Sequence, residues 1–223
     1  MEELFDLPIQ TKQRNVSSKP FHGYLNHNLY QSFGIDEANL AEKVKDFTQQ
    51  LWPDHGNQKI SETMHVFSKY LLELDVMYSP PPDNDGDDEE TKLGLRSHSD
   101  KNIITILHQY QVDALETKDE KWFKVKPSQH SFIIMVGDSL CAFLNGRLSS
   151  PYHRVRMTAK KTRYSTALFS VPKTGVIIDS PEELMDEEHP RMFKPFEYNN
   201  YRDFFNTEAG RIAQSTLHAF CAL

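Results

Sequence analysis

Short apolar runs separated by turn residues fill the second half of this chain, and they restrict its possible folds more than any other feature. Most are too short for helices and are rich in β-branched and aromatic residues. The runs lie at residues 103–107, 122–125, 132–136, 140–144 and 163–171. The dipeptide Asn145-Gly146 follows the fourth run and is the strongest short-range signal for a β-hairpin. Many short strands joined by turns predict an antiparallel sandwich or barrel.

The first third of the chain carries helical patterns instead. Apolar residues at helical spacing predict one helix over residues 36–52, with Asp36 as its N-cap, and a second over residues 61–76. The aromatic, glycine-punctuated stretch 21–35 predicts a loop. Prolines and acidic residues dominate the stretch 79–90, which also predicts a loop.

Composition narrows the class of protein. The 223 residues suffice for one substantial hydrophobic core, and a hydrophobic fraction of 38% fits a soluble globular protein. The formal net charge of −7 argues against general nucleic-acid binding, which needs a basic face. No apolar run is long enough to cross a bilayer. The two cysteines do not make a disulfide framework, so we expect a reducing compartment and a cytoplasmic protein that does not bind membranes.

Five polar residues in the β-rich half suggest a metal site beside an anion site. His98 and Asp100 are two residues apart, so in a strand both point to the same face, as do Arg163 and Ser165. With His153 they supply two imidazoles and one carboxylate, the donor set of non-haem Fe(II) oxygenases. An arginine beside a hydroxyl suits a substrate carboxylate. The His-x-Asp triplet alone is a weak signal, because such triplets arise by chance.

The order and spacing of several motifs make the signal specific. Residues 98–172 resemble the plant Fe(II)/2-oxoglutarate-dependent dioxygenases, and the likeness extends over nearly the whole chain. It rests on His98-Ser99-Asp100, Val136-Gly137-Asp138, Leu144-Asn145-Gly146-Arg147, His153-Arg154-Val155, Arg163-Tyr164-Ser165 and Phe169. Within that superfamily the chain looks most similar to the AOP branch, whose alkenyl- and hydroxyalkyl-producing members modify glucosinolate side chains. Residues 95–101, 173–175 and 188–191 carry that closer likeness.

This resemblance implies a fold and a division of the chain. The expected class is α+β, mainly β with flanking helices, around a double-stranded β-helix or jelly-roll core. Residues 1–77 would be a helical remnant of the family's N-terminal region, and residues 78–172 the dioxygenase core. Residues 173–223 would wrap the core and end in an amphipathic helix over residues 201–220.

The resemblance also implies cofactors and residue roles. His98, Asp100 and His153 would bind Fe(II), while Arg163, Ser165 and Tyr78 would bind the far carboxylate of 2-oxoglutarate. Phe169 would line the substrate pocket. O₂ would be the second co-substrate and ascorbate a supporting reductant. The expected reaction is hydroxylation or desaturation of a small organic molecule, a plant specialised metabolite, with the oligomeric state left open.

Two departures from the family pattern leave other readings open. The family's N-terminal region is short here, and a helix and a strand are missing between Asp75 and Tyr78. Val76 stands where the family has an asparagine, and the strand that should hold Tyr78 is expected to be absent. The chain could therefore be a catalytically impaired splice form or fragment. A cupin-like binding protein with another metal at His98 and Asp100 is a third reading.

Overall fold

The computed structural model describes residues 1–19, 22–27, 29–69, 73–80, 92–110, 112–128, 130–157 and 161–223. Most of the predicted loop at residues 79–90 lies outside these ranges. The chain divides into two compact units, formed by residues 1–98, 106–133 and 153–169, and by residues 99–105, 134–152 and 170–223. The division into residues 1–77, 78–172 and 173–223 stays a prediction. Among the described helices, none combines the length and the apolar character that crossing a bilayer requires.

The helices are short and lie mainly near the two ends of the chain. They are α1 (Glu2–Phe5), α2 (Ile9–Lys12), α3 (Ala41–Leu51), α4 (Gln58–Ser68), α5 (Asp138–Phe143), α6 (Tyr198–Phe205), α7 (Glu208–Ile212) and α8 (Thr216–Cys221), with a 3₁₀ turn at Glu182–Leu184.

The strands are β1 (Gly23–Asn26), β2 (Gln31–Ile35), β3 (Glu73–Ser79), β4 (Lys92–His98), β5 (Ile104–Tyr110), β6 (Leu115–Lys118), β7 (Trp122–Lys124), β8 (Ile133–Val136), β9 (Tyr152–Met157), β10 (Arg163–Ser170), β11 (Ile177–Ile178) and β12 (Phe196–Glu197). They form a six-stranded sheet β1-β2-β3-β10-β5-β8, a four-stranded sheet β4-β9-β6-β7 and a small β11-β12 pair. Strands predicted at residues 103–107, 122–125, 132–136 and 163–171 are confirmed within a few residues.

The prediction of a loop at residues 21–35 is wrong, because most of this stretch forms the β1-β2 hairpin. Gly23 enters β1 with φ of 76°, and a Cβ there would lie 2.9 Å from the Asn15 carbonyl oxygen. Only glycine accommodates this conformation and this close approach together. The aromatic residues that suggested a loop instead pack in the core, as Phe33 does with no exposed surface.

The second predicted helix extends too far. It ends at Ser68, and residues 73–76, which were assigned to it, belong to β3. Leu74 and Val76 alternate with Asp75, so one face of β3 packs into the first unit's core while the other does not. The strand expected to be absent around Tyr78 is therefore present. The core residues on this side are Leu4, Phe5, Phe33, Ile35, Ala38, Val44, Phe47, Leu51, Leu74, Val76 and Leu168.

The first predicted helix begins later than expected. Its first residue is Ala41, with Leu40 at the N-cap position, so Asp36 does not cap it. Asp36 instead forms ion pairs with Lys19 and His22, at 2.9 and 2.7 Å. The Asp36 carboxylate therefore contacts basic side chains from another part of the chain, and the apolar spacing that predicts the helix gives no information about such contacts.

The predicted strand at residues 140–144 and its hairpin are also wrong. These residues form most of α5, and Asn145-Gly146 ends this helix. Asn145 and Gly146 have φ of 49° and 77°, and the Gly146 amide donates to the Cys141 carbonyl at 2.9 Å. This is a Schellman ending, which uses the same left-handed conformations as a tight hairpin turn.

The predicted helix at residues 201–220 is three helices rather than one. The side chains of Thr207 and Ser215 cap α7 and α8 by accepting from the backbone amides of Gly210 and His218. Capping residues inside an apolar pattern divide it into short helices. The core of the second unit comprises Cys141, Ala142, Ile178, Phe193, Phe196, Tyr201, Leu217 and Cys221, and both cysteines are free thiols.

Candidate metal centre and co-substrate site

Three side chains with metal-binding donors meet in the structure. His98 ends β4, and His153 lies opposite it in β9, with ring centroids 4.3 Å apart. One ligand atom from each of His98, Asp100 and His153 lies within 4.8 Å of the others. Asp100 and His153 are buried, and His98 is partly buried. Two imidazoles and one carboxylate are the donor set of the facial triad that holds Fe(II).

A hydrogen bond fixes the tautomer of His98. Its Nδ1 lies 2.8 Å from the Arg96 carbonyl oxygen. A carbonyl can only accept, so Nδ1 carries a proton and Nε2 is the nitrogen available for a metal in the neutral ring. Metal-binding histidines commonly donate their other nitrogen in this way, and the bond also orients the ring. This bond therefore holds the ring in one orientation.

The carboxylate of Asp100 is held in place by a neighbouring hydroxyl. Thr105 Oγ1 donates to Asp100 Oδ2 at 2.6 Å, and Asn102 Nδ2 donates to Thr105 Oγ1 at 3.1 Å. The second oxygen of Asp100 is not used by this bond. Such support reduces the side-chain freedom that metal binding would otherwise have to remove.

The backbone around Asp100 is fixed by the residues that begin α5. The amide of Asp138 donates to the Asp100 carbonyl at 2.7 Å, and the amide of Gly137 donates to the Ile103 carbonyl at 2.9 Å. At Gly137 a Cβ would lie 2.0 Å from the Asn102 carbonyl oxygen, so only glycine fits.

A buried ion pair lies beside this segment. Lys101 Nζ contacts Asp138 Oδ2 at 2.9 Å, and the same oxygen accepts from Ser99 Oγ and from the Tyr201 hydroxyl at 2.6 Å. The pKa of Tyr201 is raised by burial and by the charge of Asp138, so this hydroxyl stays protonated and donates. Because the carboxylate accepts from three groups, its charge is compensated in the interior.

Arg163 is a buried cation that no described carboxylate neutralises. It is 1% exposed, and burial lowers its pKa to about 10. Its Nε and Nη2 donate to Gln109 Oε1 at 3.1 and 2.9 Å, and its Nη1 donates to Ser165 Oγ at 2.9 Å. Among the described residues no carboxylate contacts the guanidinium. Burial of such a charge is costly unless an anion completes the site.

Two polar atoms near Arg163 lack partners within the described part of the chain. They are Gln109 Nε2 and the Oγ of Ser79, which lies directly opposite Arg163 in the β3-β10 ladder. Buried polar atoms in native proteins are nearly always hydrogen-bonded, so these two atoms are suited to bind a ligand. A carboxylate would accept from the guanidinium, the amide and the hydroxyl together. The arrangement fits the far carboxylate of 2-oxoglutarate.

Tyr78 is not brought to this anion site. It lies opposite Tyr164, and its ring stacks on Phe5 with centroids 5.4 Å apart, against the hydrophobic core. Residues next to one another in a strand point to opposite faces, so Tyr78 faces away from the side shared by Ser79 and Arg163. Its role in binding 2-oxoglutarate stays a prediction that this register does not favour.

Phe169 lies on the same face of β10 as Arg163 and Ser165, because these residues are separated by even numbers. It is partly buried. Its position is compatible with the predicted substrate pocket, which stays a prediction.

Three residues of the site were not identified from the sequence: Thr105, Gln109 and Ser79. Thr105 follows Asp100 by five residues, and its position two residues into β5 could have been read from the strand pattern. Gln109 is 54 residues from Arg163 in sequence, so only the strand pairing brings them together. Ser79 depends on the β3-β10 register in the same way.

Comparison with known proteins supports the geometric reading. Residues 62–172 match the model of the 2OG-Fe(II) oxygenase superfamily. The chain is similar to an Arabidopsis thaliana protein named "Probable 2-oxoglutarate-dependent dioxygenase AOP1.2", with 69% identity over 254 residues, covering 100% of this chain and 79% of that protein.

Two solved structures are also similar to this chain. The rice dioxygenase for auxin oxidation superposes with a TM-score of 0.82 and 26% identity, over 99% of this chain and 82% of that chain. The Arabidopsis thaliana dioxygenase for auxin oxidation 1, solved as a complex with 2-oxoglutarate, gives 0.75 and 25%, over 85% and 82%. With the antiparallel sheets and flanking helices, these neighbours confirm the predicted α+β jelly-roll class.

Proposed function

Because this chain belongs to the 2OG-Fe(II) oxygenase superfamily, we propose that His98, Asp100 and His153 bind its Fe(II). The observation that carries the proposal is the convergence of their three ligand atoms within 4.8 Å. The bond from His98 Nδ1 to the Arg96 carbonyl and the bond from Thr105 to Asp100 orient two of the three donors. Three open positions on the ion are then left for the co-substrates.

The co-substrate 2-oxoglutarate would place its far carboxylate against Arg163 and Ser165. The guanidinium would lose its bonds to Gln109 in part and gain an anion, which offsets the cost of its burial. Gln109 Nε2 and Ser79 Oγ would supply further donors. Four or more hydrogen bonds to one carboxylate distinguish this dianion from monocarboxylates of similar size.

The function of the superfamily is oxidation of small organic molecules with 2-oxoglutarate as co-substrate. Bound Fe(II) supplies the redox chemistry, in which O₂ oxidises 2-oxoglutarate to succinate and CO₂ while the substrate is oxidised. The protein orients the ligands and excludes water. We propose hydroxylation or desaturation of a plant specialised metabolite, with ascorbate as a supporting reductant and the cytoplasm as the location. Two solved structures similar to this chain are named dioxygenases for auxin oxidation, which supports a small plant metabolite as the substrate class.

A second candidate function is a metal-binding form with impaired turnover. The alignment with the AOP1.2 relative runs over 254 residues, whereas this chain has 223, so at least 31 positions (254 − 223) have no counterpart here. The orientation of Tyr78 away from Arg163 favours this candidate, because it removes one predicted contact to 2-oxoglutarate. Both candidate functions include binding of Fe(II) and 2-oxoglutarate. They differ in the rate at which 2-oxoglutarate is turned over.

Two substitutions test the assignment. Asp100→Ala should abolish Fe(II) binding measured anaerobically by equilibrium dialysis, and iron occupancy like that of the unmodified protein would contradict the metal site.

Arg163→Gln should keep the iron but weaken 2-oxoglutarate binding on the order of 100-fold, since truncating one partner of a buried charge pair costs about 2–5 kcal/mol. The exposed Arg211→Gln is the matched control and should bind 2-oxoglutarate normally. Succinate release with Fe(II), O₂ and 2-oxoglutarate then separates the two candidates.

A further inference from the structure

An acidic residue lies on the same face of the six-stranded sheet as the proposed anion site. Asp75 in β3 is opposite Ala167 in β10 and Gly34 in β2. Directly opposite residues in an antiparallel ladder project to one face. By alternation, this is also the face of Ser79 and Arg163, whereas Leu74 and Val76 turn into the hydrophobic core.

The residues directly opposite Asp75 on the neighbouring strands are small. Its cross-strand neighbours are Gly34 and Ala167, which have the two smallest side chains of the residue set. Asp75 as a residue retains some solvent access, while its Oδ1 is buried.

Asp75 lacks a compensating partner in the part of the chain that the structure describes. Its Oδ1 accepts no hydrogen bond, and no ion pair to it is formed by a described lysine, arginine or histidine. Burial raises its pKa to about 7, opposed only by a bond from the Val76 amide. The charge of Asp75 also acts on the nearby Tyr30 hydroxyl, whose pKa is raised mainly by burial and further by Asp75. An unpaired acid of this kind is completed by a cation.

The position of Asp75 separates it from the 2-oxoglutarate anchor. It is four residues from Ser79 along β3, which corresponds to about 13 Å at roughly 3.3 Å per residue. Asp75 therefore does not compete with the co-substrate for Arg163. Phe169 lies two residues beyond Ala167 on the same face, and an aromatic face favours a nearby cation.

We propose that Asp75 is a specificity-determining residue that binds a protonated amine of the prime substrate. The inference rests on the proposed function, because it takes this face of the sheet as the substrate side of a 2-oxoglutarate-dependent oxidation. The carboxylate forms a charge-assisted hydrogen bond with the ammonium group, and the hydrocarbon part of the substrate lies toward Phe169. A neutral or anionic substrate leaves the acid uncompensated and binds more weakly.

The test uses a pair of probes that differ in charge. Benzylammonium and benzyl alcohol are titrated calorimetrically into the full chain loaded anaerobically with Fe(II) and 2-oxoglutarate. We expect benzylammonium to bind at least tenfold more tightly than benzyl alcohol, and Asp75→Asn to remove this preference. Asp46→Asn, an exposed acid on α3, is the matched control and should retain it. A folded Asp75→Asn protein with the same preference, or no preference in the unmodified chain, would overturn the proposal.

A second measurement covers the case in which Asp75→Asn does not fold. In the unmodified, zinc-loaded chain, the ¹³C signal of the Asp75 carboxyl is titrated with pH. Benzylammonium should lower its apparent pKa by more than one unit and benzyl alcohol should not, and an unmoved pKa contradicts the proposal. The visible Fe(II)–2-oxoglutarate absorption of the calorimetry samples reports the proposed function separately: its absence rejects that function, whereas its presence without amine preference rejects only the role of Asp75.

Discussion

At the scale of single residues, the metal site depends on a hydroxyl as much as on its ligands. Thr105 Oγ1 donates to Asp100 Oδ2 at 2.6 Å and restricts the orientation of this carboxylate. Both residues are buried, Thr105 at 1% and Asp100 at 9% exposure, so water cannot replace the lost donor readily. The carboxylate orientation is therefore set by the protein before metal binds.

Thr105→Val removes this donor and keeps the side-chain shape. We expect Fe(II) affinity to fall about 10–100-fold, the usual effect of removing such an outer partner. The matched control is Thr48→Val on α3, where an equally buried hydroxyl bonds to the Lys45 carbonyl of its own helix. Anaerobic competition titration with a chromophoric chelator measures both. Equal Fe(II) affinities in the two variants would contradict the orienting role.

Gln109 offers a sharper test of the anion site, because its replacement by glutamate supplies the anion internally. Gln109→Glu should form an ion pair with Arg163 and satisfy the guanidinium without a ligand. We expect 2-oxoglutarate affinity to fall more in Gln109→Glu than in Gln109→Leu, although the glutamate variant keeps a polar partner. Calorimetric titration of 2-oxoglutarate into the metal-loaded protein decides this, and the reverse order would reject the anion site at Arg163.

At the scale of elements, the start of α5 and the segment that carries Asp100 form one hydrogen-bonded unit. Gly137 permits the contact because a Cβ would lie 2.0 Å from the Asn102 carbonyl. Gly137→Ala should therefore lower the free energy of unfolding by more than about 3 kcal/mol and reduce metal affinity, because the backbone near Asp100 must shift.

The control for this substitution is Gly175→Ala. Gly175 has φ of 81°, and a Cβ added there would meet nothing within 4 Å, so only the cost of the left-handed conformation applies, about 1 kcal/mol. Chemical denaturation and metal titration of both variants separate a local clash from a general glycine effect. Similar losses in the two proteins would show that the contact with Asn102 is not decisive.

Strand β3 shows what the sequence could and could not reveal about an element. Leu74 and Val76 alternate with Glu73 and Asp75, which is a strand pattern, but they also continue the helical spacing of residues 61–68. A short pattern of this kind satisfies both periods, and tertiary pairing with β2 and β10 decides between them. The motifs of the metal site and the Arg163–Ser165 pair were recognisable without that pairing, but the bond between Arg163 and Gln109 was not.

The same strand carries a pH-dependent term. The native pKa of Asp75 is raised to about 7, above its ordinary value of 3.8, so the folded state binds the extra proton between these values. The free energy of unfolding then decreases as pH rises from about 4 to 7, by up to about 1.4 kcal/mol per pH unit. Asp75→Asn should remove this decrease. Denaturation of both proteins at pH 5 and 7.5 measures the difference, and parallel pH profiles would contradict a protonated Asp75.

At the scale of the whole molecule, the two candidate functions differ in the consequence of the missing segment. The family resemblance predicts that a helix and a strand are missing between Asp75 and Tyr78, and at least 31 positions of the alignment with the AOP1.2 relative have no counterpart in this chain. Here the residues flanking that gap form β3 themselves, with Tyr78 toward the core and Asp75 toward the face of Arg163. If a different segment of the chain occupied this position in the sheet, different side chains would point toward Arg163.

We predict that inserting the corresponding segment of the AOP1.2 relative between Asp75 and Tyr78 changes which residues of this strand face Arg163. The restored strand would pair with β10 in place of residues 73–79, so Asp75 would leave the face of Arg163 and a tyrosine would enter it. We expect tighter 2-oxoglutarate binding, faster succinate release and loss of the benzylammonium preference in the restored chain. The control for chain length carries an inserted segment with the same residues in scrambled order. If the original and restored chains release succinate at the same rate, the missing segment does not impair turnover, and the first candidate function holds for the chain as it stands.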